Sequence, residues 1–196
     1  MPLLNQQKRE INCKVVYYGP AFSGKTTNLQ WIHRQLAPTT RGELISMATQ
    51  TDRTLFFDFL PLDLGLVHGW KMRVSMYTVP GQVEYNASRK LILNGADAIV
   101  FVADSDRLRS ADNIEALDNM KSNLEEYKLD LASIPWILQY NKRDLSDPMP
   151  VERMEMELNR YGVTSFEAVA SEGLGVFATL RAVTRELMNE LSKLVT

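Results

Sequence analysis

The segment Gly19-Pro20-Ala21-Phe22-Ser23-Gly24-Lys25-Thr26 restricts what this chain can fold into more than any other. It has the spacing G-x-x-x-x-G-K-[ST] and sits between two patterned stretches. Before it, Asn12 to Tyr18 is a short apolar, β-branched run, which predicts a buried strand. After it, Leu29, Ile32 and Leu36 recur at helical spacing until Pro38. A strand, a glycine-bracketed loop and a helix in that order form a phosphate cradle. Backbone N–H groups of Phe22, Ser23, Gly24, Lys25, Thr26 and Thr27 turn inward, and the helix N-terminus adds its positive end. Lys25 brings a charge to the outer phosphates, and the Thr26 hydroxyl is an oxygen ligand suited to Mg²⁺. The competing reading, a glycine-rich surface turn, does not account for the flanking strand and helix.

The rest of the chain continues the alternation. Leu55 to Leu60 and Lys71 to Val79 read as strands, joined by the turn-rich stretch Pro61 to Gly69 into an antiparallel hairpin. Gln82 to Asn94 reads as a short helix closed by Gly95, and Ala98 to Ala103 as a fully apolar strand. Ser110 is a candidate cap for a helix carrying Ile114, Leu117, Leu124 and Tyr127 on one face. Pro135 to Tyr140 and Phe166 to Ala170 are further strands. The spacing of Val151, Met154, Leu158 and Tyr161 predicts a helix, and that of Val176 to Leu191 an amphipathic closing one. The pattern predicts an α/β fold with a six-stranded, mostly parallel sheet, one antiparallel edge strand and helices on both faces. Along Leu55 to Leu60, residues 55, 57 and 59 share one face and 56, 58 and 60 the other, so a two-residue slide would preserve both faces.

Composition removes several function classes. The 196 residues are 45% apolar and carry 22 basic against 24 acidic side chains, a formal charge of −2. That balance gives no drive toward nucleic acid or anionic lipid. Cys13 is the only cysteine, which excludes an internal disulfide and fits the cytoplasm. The apolar runs are too short to span a bilayer. No signal-peptide core, N-terminal Met-Gly or C-terminal prenylation cysteine is present, so no direct membrane anchor is expected. Without repeats or linkers, residues 1–196 are expected to form a single domain, with its core at about 10–194, monomeric on its own.

Four weaker signals accompany it, three of them just after predicted strands, where ligands of such sheets bind. Asn141-Lys142-Arg143-Asp144 alone is a polar turn; with the phosphate loop it reads as a guanine site. Asp144 would accept from guanine N1–H and its 2-amino group, donors adenine lacks. Asn141 would reach the base edge, and the Lys142 stem would lie on the base plane. In Pro80-Gly81-Gln82, the Gly81 N–H could sense a γ-phosphate and Gln82 could orient an attacking water. Thr54, with Arg53 beside it, could complete a Mg²⁺ shell; its competing role is a β-forming residue at a strand start. Ala170 and Ser171 could offer backbone amides to the guanine oxygen. Cys13 reads as core, and His33 and His68 share no metal-ligand motif.

The order of these motifs resembles that of Ras-like small GTPases over residues 10–194. Tyr17-Tyr18-Gly19-Pro20, Gly24-Lys25-Thr26-Thr27-Asn28-Leu29, Arg53 to Pro61 and Thr78-Val79-Pro80-Gly81-Gln82 resemble the bacterial gliding-motility branch of that family. The resemblance implies a GTP/GDP switch using Mg²⁺ and controlling cell polarity and surface motility. It also implies an activating partner of the roadblock (dynein light-chain-like) class, polarity and motility effectors, and recruitment to a cell pole. Three departures from the wider family stand out. Thr78 replaces the Asp that holds Mg²⁺ through water, Ala21 replaces a Gly facing the γ-phosphate, and Ser171 replaces a base-contacting Lys. Ala21 narrows the path of a partner's arginine finger, so Arg53 is expected to act as a finger in cis, with the partner ordering the Arg53-Thr54 loop. Thr78 and Ala21 also keep a second reading open, an interaction module with negligible turnover. A P-loop kinase is disfavoured by Asp144 and by the lack of an Arg-rich lid.

Overall fold

The structure is a computed structural model that describes residues 2–48, 56–67 and 69–195. Its strands are β1 (Leu3–Asn5), β2 (Glu10–Tyr18), β3 (Ile45–Ala48), β4 (Phe56–Val67), β5 (Trp70–Thr78), β6 (Ala98–Asp104), β7 (Trp136–Asn141) and β8 (Ser165–Glu167). Its α-helices are α1 (Lys25–Gln35), α2 (Asn86–Leu93), α3 (Ser110–Glu126), α4 (Val151–Leu158) and α5 (Val176–Val195). The strands form one sheet in the order β3-β4-β5-β2-β6-β7-β8, with β1 on the start of β2. From β5 to β8 every pairing is parallel. The mostly parallel α/β sheet matches the reading from sequence.

Strand β2 shows why the sheet is covered on both sides. Ile11, Cys13, Val15 and Tyr17 enter one apolar cluster with Leu29 and Ile32 of α1 and Val183 and Leu187 of α5. Val16 and Tyr18 enter the other, with Met120 and Leu124 of α3 and Met154 of α4. A strand buried on both faces reads as a continuous apolar run, as Val15 to Tyr18 does; before it, half-buried Glu10, Asn12 and Lys14 alternate with buried Ile11 and Cys13. Strand β5 sits nearer the margin and alternates: Met72, Val74, Met76 and Thr78 are buried and Arg73 is exposed.

Several details correct the sequence reading. Among the described residues there are eight strands rather than six, because β1 and β3, of three and four residues, are too short to carry a periodic signal. The stretch Pro61 to Gly69 is mostly strand: β4 continues to Val67, interrupted by a bulge between Asp63 and Leu66. Strand β4 pairs with β5 on one side and β3 on the other, both antiparallel, so the sheet edge is β3. The helix expected from Gln82 begins as a 3₁₀ turn, Val83–Tyr85, before α2. Ser110 is not a cap: it is the first residue of α3, which follows Arg109 without a side-chain cap, and Asp106 caps the preceding 3₁₀ turn Arg107–Arg109, accepting from the Leu108 N–H at 2.9 Å. The Ser110 hydroxyl instead donates to Glu157 at 2.6 Å.

Candidate functional site

The phosphate-loop segment leaves β2 at Tyr18 and enters α1 at Lys25. Gly24 occupies the position before the helix with φ 101°, a left-handed conformation. A Cβ there would lie 2.1 Å from Asn141 Nδ2, so only glycine fits. The first turns of α1 are held from beneath. Asn28 Nδ2 donates to Gln139 Oε1 at 2.8 Å, Gln139 Nε2 returns a bond at 3.0 Å, and Gln139 also reaches Thr179 of α5. All three side chains are buried, and a buried amide pair satisfied on both sides fixes the helix against β7.

Lys25 is buried, and its ammonium donates to the carbonyls of Gly19 at 3.0 Å and Pro20 at 2.6 Å. Burial, then the charge of Arg89, pushes its pKa from 10.5 down to about 7; Asp58 pulls the other way and Arg109 adds to the lowering. A buried ammonium so disfavoured is stabilised by an anion beside it. The donors of this loop therefore fit a phosphate group.

Next to Lys25, Thr26 Oγ1 donates to Asp58 Oδ2 at 2.5 Å. Asp58 comes from the start of β4 and is 7% exposed. Its other oxygen accepts from Ser46 Oγ of β3 at 2.7 Å, and Thr78 Oγ1 of β5 donates to Oδ2 at 2.9 Å. A buried carboxylate therefore stands beside Thr78, which itself lacks one. Carboxylate and hydroxyl oxygens are the donor set a hard cation takes, so Thr26 and Asp58 fit Mg²⁺.

The cleft over this cluster is lined by Ala21, Phe22, Gly24, Lys25, Thr26 and Thr27 on the loop side. Ser46, Asp58 and Thr78 line its floor, and Pro80, Gly81 and Gln82 its far wall. Gly81 packs so tightly on the loop that a Cβ would lie 2.2 Å from Ala21 Cα. Gln82 is exposed at the rim. Arg53 and Thr54 lie outside the described residues.

The base motif connects directly to the loop. Asn141 Nδ2 donates to the Ser23 carbonyl at 2.7 Å, and Asn141 Oδ1 accepts from the Ala170 N–H at 2.9 Å. Both ends of this buried amide thus hold backbone, joining the phosphate loop, the end of β7 and the loop after β8. Lys142 Nζ pairs with buried Asp104 at 2.7 Å, which fixes the direction of the lysine stem. Asp104 in turn is held by Asn113 of α3, which bonds its N–H and its carbonyl. Asp144 and Ser171 are exposed nearby.

Comparison with known proteins bears on this arrangement. The model of the Ras family matches residues 46–189. "Mutual gliding-motility protein MglA" of Myxococcus xanthus (strain DK1622) is 55% identical over 193 residues, 98% of this chain and 99% of that protein. The chain belongs to the Ras family. Membership makes it a small GTPase in general terms, with GTP/GDP and Mg²⁺ the ligands typical of such proteins. The phosphate loop precedes the span matched by the family model; it is covered by the similarity to MglA and stands on its own geometry.

For a Ras-family chain, sequence reasoning missed three side chains at this site. Asp58 had a visible signal, one acid within Phe56-Phe57-Asp58-Phe59-Leu60, but its partners lie far away in sequence. Arg109 follows β6, donates to the Ala21 carbonyl at 2.9 Å and pairs with Asp112. Arg89 of α2 is 1% exposed and bonds the backbone of Pro80 and Gly81. Nothing in the local pattern distinguishes either arginine from a solvated helix charge. Among the described residues no group of three or more His, Cys, Asp or Glu is placed to hold a metal, so a cation here depends on mixed oxygen ligands. No helix among them is long and apolar enough to cross a membrane.

Proposed function

We propose that this protein is a guanine-nucleotide switch that hydrolyses GTP to GDP and phosphate. The observation that carries the reading is the junction at Asn141. Its one amide ties the phosphate loop to the loop bearing Ala170, with the candidate guanine acceptor Asp144 three residues on. Lys25 holds the outer phosphates, and the loop amides from Phe22 to Thr27 with Gly19 and Ala21 frame them. Asn141, Lys142, Asp144, Ala170 and Ser171 receive the base.

Thr26, Asp58 and Thr54 are the residues that would hold Mg²⁺, which when bound neutralises charge developing between the β- and γ-phosphates. Asp58 takes the place of the carboxylate that Thr78 lacks. Gly81 faces the γ-phosphate, and Gln82 orients the attacking water for in-line displacement. Arg53 supplies the positive charge of an arginine finger in cis. The reading as a module with negligible turnover loses part of its ground, because a carboxylate is present beside Thr26.

By its similarity to the mutual gliding-motility protein MglA, we assign the switch to cell polarity and surface motility. Its partners would be a roadblock-class, MglB-like activating protein and polarity effectors, acting in the cytoplasm or at a cell pole. Single-turnover release of γ-phosphate from GTP, with and without a roadblock protein, tests the reading. Turnover that is slow alone and strongly accelerated by the partner is expected; tight GTP binding with no release in either case supports the interaction module instead.

A further inference from the structure

Arg89 is the largest fully buried side chain of the described residues, and it is a cation. Its Nε donates to the Pro80 carbonyl at 2.8 Å, its Nη2 to the Gly81 carbonyl, and its Nη1 to Asn119 Oδ1 of α3 at 2.9 Å. Its guanidinium carbon stands 5.6 Å from the centre of the Tyr18 ring. Behind it lies a polar lattice. Tyr18 OH donates to Asn119 Oδ1 at 2.6 Å, and Asn119 and Asn123 both donate to Asn86 Oδ1 at 2.9 Å. Removing a guanidinium from water is costly, and an apolar side chain of similar volume packs as well or better. Stability alone is therefore a poor reason for an arginine here.

Its geometry points to a reason. A trans peptide directs its C=O and N–H to opposite sides. With the Pro80 carbonyl on Arg89, the Gly81 N–H is turned away from α2; with the Gly81 carbonyl on Arg89, so is the Gln82 N–H. Two successive carbonyls on one guanidinium thus leave two successive N–H groups on the other side, the arrangement of a small anion-binding concavity. Gly81 and Gln82 both line the cleft that holds Lys25.

We propose that Arg89 is the positioning residue that sets the Pro80-Gly81-Gln82 backbone with its amides toward the γ-phosphate, seated on α3 through Asn119. The inference rests on the nucleotide-switch reading above and deepens it: γ-phosphate recognition is built from α2 and α3 as well as from the phosphate loop. Only arginine serves, because its planar fork reaches two carbonyls and Asn119 at once, whereas lysine presents a point charge.

The test measures dissociation of a fluorescent GDP and of a non-hydrolysable fluorescent GTP analogue, with Mg²⁺, from the parent chain, Arg89→Gln, Arg89→Lys and Asn119→Ala. Arg89→Gln is expected to release the triphosphate analogue about tenfold or more faster, the scale of a lost charge-assisted hydrogen bond, while GDP release stays within about threefold. Arg89→Lys should behave nearly as Arg89→Gln. Asn119→Ala keeps the arginine and is the milder variant should Arg89→Gln fail to fold; it should shift the triphosphate alone, in the same direction. Equal acceleration of both nucleotides in these variants, or none, overturns the positioning role and leaves the switch reading standing. A parent chain that retains neither nucleotide overturns both.

Discussion

Thr78 and Asp58 bind each other twice: the Thr78 hydroxyl donates to the Asp58 carboxylate at 2.9 Å and accepts from the Asp58 N–H at 2.8 Å. The pair staples β5 to β4 beneath the phosphate loop. Asp58→Asn is expected to speed nucleotide release in Mg²⁺ by roughly tenfold, the value of a charge-assisted contact, with little change in EDTA. Thr78→Asp restores the residue of the wider family yet should lower stability by roughly 1–3 kcal/mol at neutral pH, because two carboxylates then share one buried site. Melting curves of the parent and both variants, each in Mg²⁺ and in EDTA, check this.

The same position makes β4 register measurable. A two-residue slide of β4 against β5 would carry Asp58 about 7 Å from Thr26 and Thr78 and bring Phe56 or Leu60 into its place. Strand faces would be preserved, so the core would tolerate it. In the present register Phe59 pairs with Tyr77 and Leu60 with Met76. Structures with GDP and with a GTP analogue are expected to differ by this step; one register in both ends the idea.

Base selection is expected to rest on Asp144, three residues beyond Asn141. Asp144→Asn should weaken GDP and GTP alike and relax discrimination against xanthosine nucleotides, by several kcal/mol at most. Asn141→Ala removes the bonds to Ser23 and Ala170, so phosphate and base contacts should loosen together. Competition binding with GDP and xanthosine diphosphate separates the two effects.

Hydrolysis should be separable from binding. Gln82→Leu and Arg53→Ala are each expected to retain GTP and to lose partner-stimulated release of phosphate, on the order of 10³-fold for the arginine. Full stimulated turnover in Arg53→Ala would show that the charge comes from elsewhere.

Cys13 provides a pH signature. Burial, then the nearby Asp97 carboxylate, pushes its thiol from 9.0 up to about 12. The folded state therefore holds this proton in a window where the unfolded chain has lost it. Its stabilising contribution is complete below pH 9 and declines as pH rises from about 9 toward 12, by up to about 1.4 kcal/mol per unit. Denaturant titrations of the parent and Cys13→Ala should diverge in that window and run parallel below it.

The sheet and the phosphate loop were legible because their signals are local: an apolar run, two glycines, a helical period. Strand β3 was not, since it is only four residues long and its Ile45 and Met47 are exposed. Pro61 and Gly65 made β4 look like a turn. Pro61 lies past the last β3 pairing at Ile45–Phe59, where its missing N–H breaks no ladder, and Gly65 takes φ 78° within the bulge. Arg89 and Arg109 were invisible as site residues, and Asp58 showed only as a lone acid in an apolar run, because each role is defined by partners from other strands or helices. Arg53 and Thr54 were singled out from sequence but fall outside the described residues.

The Asn141 amide has a mechanical consequence. Ser23 and Ala170 are clamped from either side, and α1 is bolted to β7 through Asn28 and Gln139. One jaw of the pocket is therefore a caliper of fixed span between the phosphate loop and the loop after β8. The opposite jaw, formed by Asp58 of β4 and by Gly81 and Gln82, has no such tie to β7 among the bonds described. Such a protein would grip its ligand with one hand and read it with the other, so that changing the message need not mean letting go.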